Sequence, residues 1–285
     1  MVLEIWNDPL ASGGGTAKEI FLGHFGLPSG GPELDMLRRI VASYSNLPYE
    51  NLTKIIRKFT AHSPNERLRA PVEVVSGFVE HRTGGTCFSL TYCLGSMLAS
   101  AGFTCYPIMA DMKRPNIHCA LVVEMNERRY LVDPGYLVGE PVRLTGAPVL
   151  VETTFGVVEL RPRQGERYDL FTLDGTDRKW RYTAKTTRVS HQEFIRHWQN
   201  SFALPMMNNL LLTRLTPQGH LYIKNHHLRV KGPQGKANEN IRGDFELRIE
   251  REFGISPGIT AQAREHLERL RRSWHERDAA ALERV

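Results

Sequence analysis

Gly84-Gly85-Thr86-Cys87-Phe88-Ser89-Leu90-Thr91 opens a helical pattern that runs on through Leu94, Met97, Leu98 and Ala101 to Gly102. Leu90, Leu94, Met97, Leu98 and Ala101 recur at spacings of three and four, which predicts one buried helical face. Gly102, just past the last apolar position, is a C-terminal stop. Cys87 therefore falls at the N-terminus of a helix, behind a flexible Gly-Gly turn. The free N–H groups and the dipole of a helix start favour negative charge. A thiol there ionises below its ordinary value of about 8.5. The same placement suits a small buried cysteine packed under a helix, so the residues downstream must separate the two readings.

Downstream lies His118-Cys119-Ala120-Leu121-Val122-Val123-Glu124-Met125-Asn126-Glu127-Arg128-Arg129-Tyr130-Leu131-Val132-Asp133. Two apolar runs flank a polar turn at Asn126-Glu127, the pattern of a β-hairpin. With those two residues as the loop, Met125 faces Arg128 and Ala120 faces Asp133. His118 lies two residues from Ala120 and so shares its face. His118 and Asp133 then become diagonal neighbours at one end of the hairpin, and a slip of one residue would part them. Cys87, His118 and Asp133 together have the parts of a nucleophilic triad. His118 takes the thiol proton and Asp133 holds the imidazole.

At these residues the chain resembles the arylamine N-acetyltransferase family, within the wider transglutaminase-like and papain-like cysteine enzymes. Leu47-Pro48-Tyr49-Glu50-Asn51-Leu52 looks like the family's Pro-aromatic-Glu-Asn-Leu segment. Arg82 to Cys87 looks like its Arg-Gly-Gly-x-Cys segment, and Tyr130 to Tyr136 like its Leu-Val-Asp-x-Gly-Phe segment. Weaker matches are Trp180, Asn200-Ser201-Phe202 and Glu252-Phe253-Gly254-Ile255. The departures sit beside the cysteine. Thr83 separates Arg82 from the glycines, Thr86 replaces an aromatic residue, and Ser89 and Thr91 replace a Glu and an Asn. Pro134 and Leu137 alter the segment after Asp133. The resemblance implies an α+β fold: a helical part over residues 1–102, an antiparallel β-barrel or sheet over 103–189 and an α/β lid over 190–285. It also implies Glu50, Arg82, Gly84 and Gly85 as supports of the site, with Phe88, Gly135 and Tyr136 as substrate contacts. Glu50 is expected either to brace the Gly-Gly turn by pairing with Arg82 or to sit solvated at a helix start.

The implied activity is acyl transfer from a thioester donor, through a thioester on Cys87, to a small-molecule amine. Coenzyme A or an acyl-carrier protein would present the acyl group, with no bound cofactor. Three alternatives stay open on the residues: an amide synthase with a larger or carrier-bound donor, a transglutaminase- or peptidase-like amide hydrolase, and a binding protein that no longer turns over.

The remaining composition is consistent with this. The 285-residue chain has room for one large domain or several smaller units. Its formal charge of +6 suits an anionic ligand, and without a basic, aromatic-laced element it does not point to nucleic acid. No apolar run is long enough for a membrane span. Met1 to Asp8 lack the pattern of a secretory signal, and the four cysteines are irregularly spaced, so a reducing cytoplasm is expected. Cys93, Cys105 and Cys119 read as structural, and no Cys-x-x-Cys pair suggests a metal site.

Along the chain, residues 1–15 read as a loose leader. Helical patterns cover Leu34 to Val41 and Leu52 to Phe59, and Val72 to Val79 suits a helix or a strand. Short strands follow from Phe103 to Ala184, with Asp174-Gly175 as a hairpin turn. Ser190 and Glu193 open a helix bearing Phe194, Ile195 and Trp198. Leu210–Thr216 and His220–Val230 read as a hairpin in a basic lobe bearing Lys224, His226, His227, Arg229, Lys231 and Lys236. Phe245, Leu247 and Ile249 alternate as a strand, and residues 260–283 form a last helix with Leu267, Leu270 and Trp274 on one face.

Overall fold

Among the described residues five α-helices precede the main sheet: α1 (Gly14–Phe25), α2 (Leu34–Tyr44), α3 (Leu52–Thr60), α4 (Pro71–His81) and α5 (Cys87–Ser100). A two-residue strand, β1 (Tyr49–Glu50), lies between α2 and α3. The computed structural model describes residues 4–6, 8–136, 138–154, 156–232 and 235–282, with side chains to residue 272. Val72 to Val79 resolve as helix. Pro71 takes the first position of α4, where its missing N–H costs nothing, and Arg82 ends the helix in the left-handed region at φ 56°. Every residue of α5 from Cys87 to Leu98 is buried. The helix thus has no solvent face, which corrects the single-face expectation. An element covered on all sides can carry Ser89 and Thr91 inward because the Thr86 and Cys119 carbonyls accept from them. The loose-leader expectation also fails over residues 4–6 and 8–15, the part of it within the described residues. Trp6 is buried and its Nε1 donates to the Cys105 carbonyl at 3.0 Å, while Gly14 and Gly15 already belong to α1. An indole removes so much apolar surface from water that it can hold a short leader in place.

Eight strands form one antiparallel sheet: β2 (Thr104–Asp111), β3 (His118–Met125), β4 (Arg128–Val132), β5 (Val142–Arg143), β6 (Val149–Thr153), β7 (Gly156–Arg163), β8 (Arg167–Asp174) and β9 (Asp177–Lys185). Their order is β5-β4-β3-β2-β9-β8-β7-β6, and the two edges approach closely enough to make a nearly closed barrel. Asn126 and Glu127 both take positive φ, as a two-residue hairpin loop requires. Met125 pairs with Arg128 and Leu121 with Val132, the register read from the sequence. Along β3, Ala120 and Val122 enter the barrel core with Tyr182 and Ala184. Cys119, Leu121 and Val123 face the helical core that contains α5. The β8–β9 loop is Gly175-Thr176, one residue later than expected, because Asp174 pairs with Asp177 and Gly175 takes the first positive-φ position.

After the barrel come α6 (His191–Asn200) and a second sheet of β10 (Leu211–Thr216), β11 (Gly219–Lys224), β12 (His227–Gly232) and β13 (Gly235–Asn240). Ser190 caps α6, its Oγ accepting from the Glu193 N–H at 3.1 Å. The sheet order is β1-β10-β11-β12-β13, so β1 ties this sheet to the helical part. His220–Val230 is two strands rather than one, divided at Asn225-His226, with Asn225 at φ 52°. The expected strand at Phe245 is instead α7 (Phe245–Phe253). Phe245, Ile249 and Phe253 are buried at a spacing of four, while Leu247 is 62% exposed. The last helix, α8 (Pro257–Leu282), begins three residues earlier than expected. Its Leu267 is buried against the α7 core, and the Trp274 side chain lies outside the described residues. Among the described residues no helix is long and apolar enough to cross a membrane.

Candidate active site

The turn before Cys87 is held by backbone as much as by side chains. Gly85 accepts from the Glu50 N–H at 3.0 Å and donates to the Pro48 carbonyl at 3.3 Å, which lays β1 beside the turn. A Cβ at Gly84 would stand 1.9 Å from that Pro48 oxygen, so only glycine fits. Arg82 does not pair with Glu50, contrary to expectation. Its exposed guanidinium meets His24 Nε2 at 3.1 Å and lies over the Phe78 ring, because the left-handed end of α4 turns its side chain outward. Arg69 takes the bracing role instead. Its Nη1 donates to the Gly84 carbonyl at 2.5 Å and to Thr53 Oγ1 at 3.2 Å, and stands 4.0 Å from Glu50 Oε1. Glu50 is fully buried, not solvated, and accepts from the Thr53 N–H and hydroxyl at the start of α3. Arg69→Met leaves the Gly84 carbonyl and a buried carboxylate without their cation. It is expected to cost about 3 kcal/mol of stability, read as a lowered urea midpoint with an unchanged slope.

Cys87, His118 and Asp133 converge at the start of α5. His118 is the first residue of β3, Asp133 follows β4, and His118 Nε2 meets Asp133 Oδ2 at 2.8 Å with both side chains buried. Asp133 is fixed from two further sides. The Tyr182 hydroxyl donates to its Oδ2 at 2.5 Å and the Tyr136 N–H to its Oδ1 at 2.9 Å. With Nε2 committed to Asp133, Nδ1 is the imidazole nitrogen left for the Cys87 sulfur. Cys87 Sγ also lies 3.9 Å from the Ile117 carbonyl, and Thr91, one turn further along α5, donates to the Cys119 carbonyl at 3.3 Å. The first turn of α5 thus sits directly over the start of β3.

The electrostatics follow from this packing. Hydrogen bonding by Cys119 holds the Cys87 thiol well below its ordinary pKa. Burial opposes that, and His118 and the Lys54 charge reinforce it. Burial and the neighbouring Cys87 push Cys119 up. Burial disfavours the His118 imidazolium, but the Asp133 charge and hydrogen bond, with Cys87, raise its pKa to about 10. Both shifts favour a thiolate beside an imidazolium, a nucleophile with its proton donor already charged. Burial alone pushes Cys93 and Cys105 up to about 12, so these two remain inert thiols.

The other sequence-derived residues divide. Gly135 is in direct contact: an added Cβ would lie 2.6 Å from Cys87 Cβ and 3.1 Å from His118 Cε1. Tyr136 is half-buried, its ring edge-on to Tyr182 at 5.8 Å. Phe88 instead points into the helical core, fully buried against Phe194 at 5.5 Å, because one step along a helix rotates it away from Cys87. Sequence reasoning missed Arg69, Tyr182, Lys54 and the pairing of Cys119 with Cys87. Only Cys119 carried a signal, its place directly after His118.

Residues 33–258 match a family model described as N-acetyltransferase. A comparison with curated proteins gives no match. Among solved structures, an arylamine N-acetyltransferase from Mycobacterium abscessus aligns over 90% of this chain and 98% of its own, with 20% identity and a TM-score of 0.76. One from Salmonella typhimurium aligns over 87% and 97%, with 18% identity and a TM-score of 0.72. A third, from Bacillus cereus and described as having a Cys-His-Glu catalytic triad, aligns over 84% and 98%, with 18% identity and a TM-score of 0.68. These proteins share the fold of this chain.

Proposed function

The chain belongs to the N-acetyltransferase family, and from that premise we propose that it moves an acetyl group from acetyl-coenzyme A to an arylamine through a thioester on Cys87. The observation that carries this reading is Cys87, buried at the first position of α5, converging with a His118–Asp133 pair joined at 2.8 Å. The thiolate attacks the donor carbonyl. The tetrahedral adduct then collapses as His118 gives its proton to the departing coenzyme A sulfur. The amine next attacks the Cys87 thioester, and His118, now neutral, takes the amine proton while the Cys87 thiolate leaves. Asp133 keeps the imidazole oriented and its cationic form stable throughout. The first-turn N–H groups of α5 have no partner within the helix and suit the oxyanion of both adducts.

Coenzyme A is the donor the surface favours. Arg181 on β9 and Arg229 on β12 gather positive charge around His220, and Lys231 beside them on β12 is paired with Asp174 at 2.9 Å. Burial, then these three cations, lower the His220 pKa to about 4. A charged diphosphate is the kind of group such a surface attracts. A reduced thiol at Cys87 suits a reducing compartment such as the cytoplasm. Initial rates at several concentrations of acetyl-coenzyme A and aniline test the scheme. Parallel double-reciprocal lines are expected for a covalent intermediate. Intersecting lines would mean that both substrates bind before any bond breaks.

A further inference from the structure

Cys119 stands against the nucleophile, yet no step of the acyl-transfer scheme runs through it. It is the second residue of β3, fully buried, and its side chain faces the helical core that holds α5. Two contacts lay the first turn of α5 on this part of β3. The Thr91 hydroxyl donates to the Cys119 carbonyl at 3.3 Å, and Cys87 Sγ lies 3.9 Å from the Ile117 carbonyl. There the Cys87 and Cys119 side chains are hydrogen-bonded to each other. The other two cysteines have other partners. The Cys93 thiol donates to the Pro71 carbonyl at 3.5 Å and touches Met97 Sδ at 3.8 Å, and the Cys105 thiol donates to the Gly95 carbonyl at 3.5 Å. All four are free thiols, and of the four Cys87 and Cys119 are the pair in contact.

A nucleophilic thiolate reacts with a peroxide as well as with a thioester, and the sulfenic acid so formed condenses with a neighbouring thiol. Cys87 is 6% exposed and Cys119 not at all, so a small oxidant meets Cys87 first. As the Cys87 sulfur attacks hydrogen peroxide, the O–O bond breaks. One oxygen stays on the sulfur as a sulfenic acid, and the other leaves as water with the proton of His118. The Cys119 sulfur then attacks the Cys87 sulfur, the S–O bond breaks, and the hydroxide leaves as water with the Cys119 proton. The two thiols have lost two electrons, and the peroxide has been reduced to two waters. Closing the bond draws the sulfurs from contact to about 2.05 Å. Cys87 is the first residue of α5, and its N–H has no partner within the helix, so it can make that move without breaking the helix.

We propose that Cys119 is the resolving cysteine of the Cys87 site: under peroxide it closes a Cys87–Cys119 disulfide that holds the nucleophile in a form a dithiol releases. The inference concerns the same nucleophile as the acyl-transfer reading but needs no acyl donor, and neither does its test. The full chain is treated with hydrogen peroxide and divided between intact mass without reductant, peptide mapping, and iodoacetamide labelling of Cys87 before and after dithiothreitol. The native chain is expected to lose two hydrogen atoms, to yield a linked peptide holding Cys87 and Cys119, and to regain its labelling with dithiothreitol. Cys119→Ala should gain oxygen instead and recover roughly tenfold less labelling. Cys93→Ala should oxidise as the native chain does. A native chain that gains oxygen without losing hydrogen, or a Cys119→Ala chain that recovers as fully as the native one, overturns the proposal. The linked peptide is read on the native chain, so the test stands even where Cys119→Ala fails to fold. A linked peptide in a chain that takes no acetyl group from acetyl-coenzyme A would sink the acyl-transfer reading and leave the disulfide standing, and an acetylated chain without the link would do the reverse.

Discussion

Asp133→Asn is expected to lower kcat/KM for acetyl transfer by about 10²- to 10⁴-fold with little loss of folded protein. The amide still fills the space between His118 and Tyr182, but it brings no charge. Asp133 is what outweighs the burial of His118 and lifts its pKa to about 10. Without it the imidazolium gives up its proton at lower pH, and the Cys87 thiolate loses a charged partner. The sign is therefore fixed: in the native protein the thiolate persists well below the ordinary thiol range, and in the variant it forms only at higher pH. Iodoacetamide alkylation of Cys87 followed against pH should show its inflection moved upward by about one unit or more. A variant with slow turnover but an unmoved inflection would show that Asp133 acts only by orienting the ring.

Gly135→Ala carries the second large effect. The added methyl would stand 2.6 Å from Cys87 Cβ, 2.9 Å from Cys87 Cα and 3.1 Å from His118 Cε1. None of those atoms is the end of a flexible side chain, so the loop after Asp133 or the start of α5 must shift. Displacement of a nucleophile by about 1 Å costs about a hundredfold in rate, whereas overpacking of this size costs about 1–3 kcal/mol of stability. The expected variant is folded, with a modestly lower Tm and at least about a hundredfold lower kcat/KM. Wild-type turnover would mean that the loop moves freely during the reaction.

The hairpin that carries His118 and leads to Asp133 could be read from the chain because strand alternation and a two-residue turn are local. Asn126-Glu127 sets the register, and the register alone brings His118 to Asp133. The helix start at Cys87 was equally local. What escaped was set by packing between distant segments. Arg69 precedes α4 with no pattern to distinguish it from a surface arginine, yet it spans Gly84, Thr53 and Glu50. Arg82, adjacent to the glycines, was the natural choice and is turned outward by the backbone at the end of α4. Tyr182 reaches Asp133 from the far side of the barrel, which no spacing encodes. Phe245, Leu247 and Ile249 fit a strand as well as Phe245, Ile249 and Phe253 fit a helix. The buried face decided for the helix, because α8 covers one side of α7 and leaves Leu247 to solvent.

Intact mass after brief exposure to acetyl-coenzyme A, with no amine present, tests the thioester at Cys87 most directly. The native chain is expected to gain one acetyl group that hydroxylamine removes, and Cys87→Ala is expected to gain none. An acetyl group retained on Cys87→Ala, or a native chain that transfers acetyl to aniline without ever carrying it, would contradict the account.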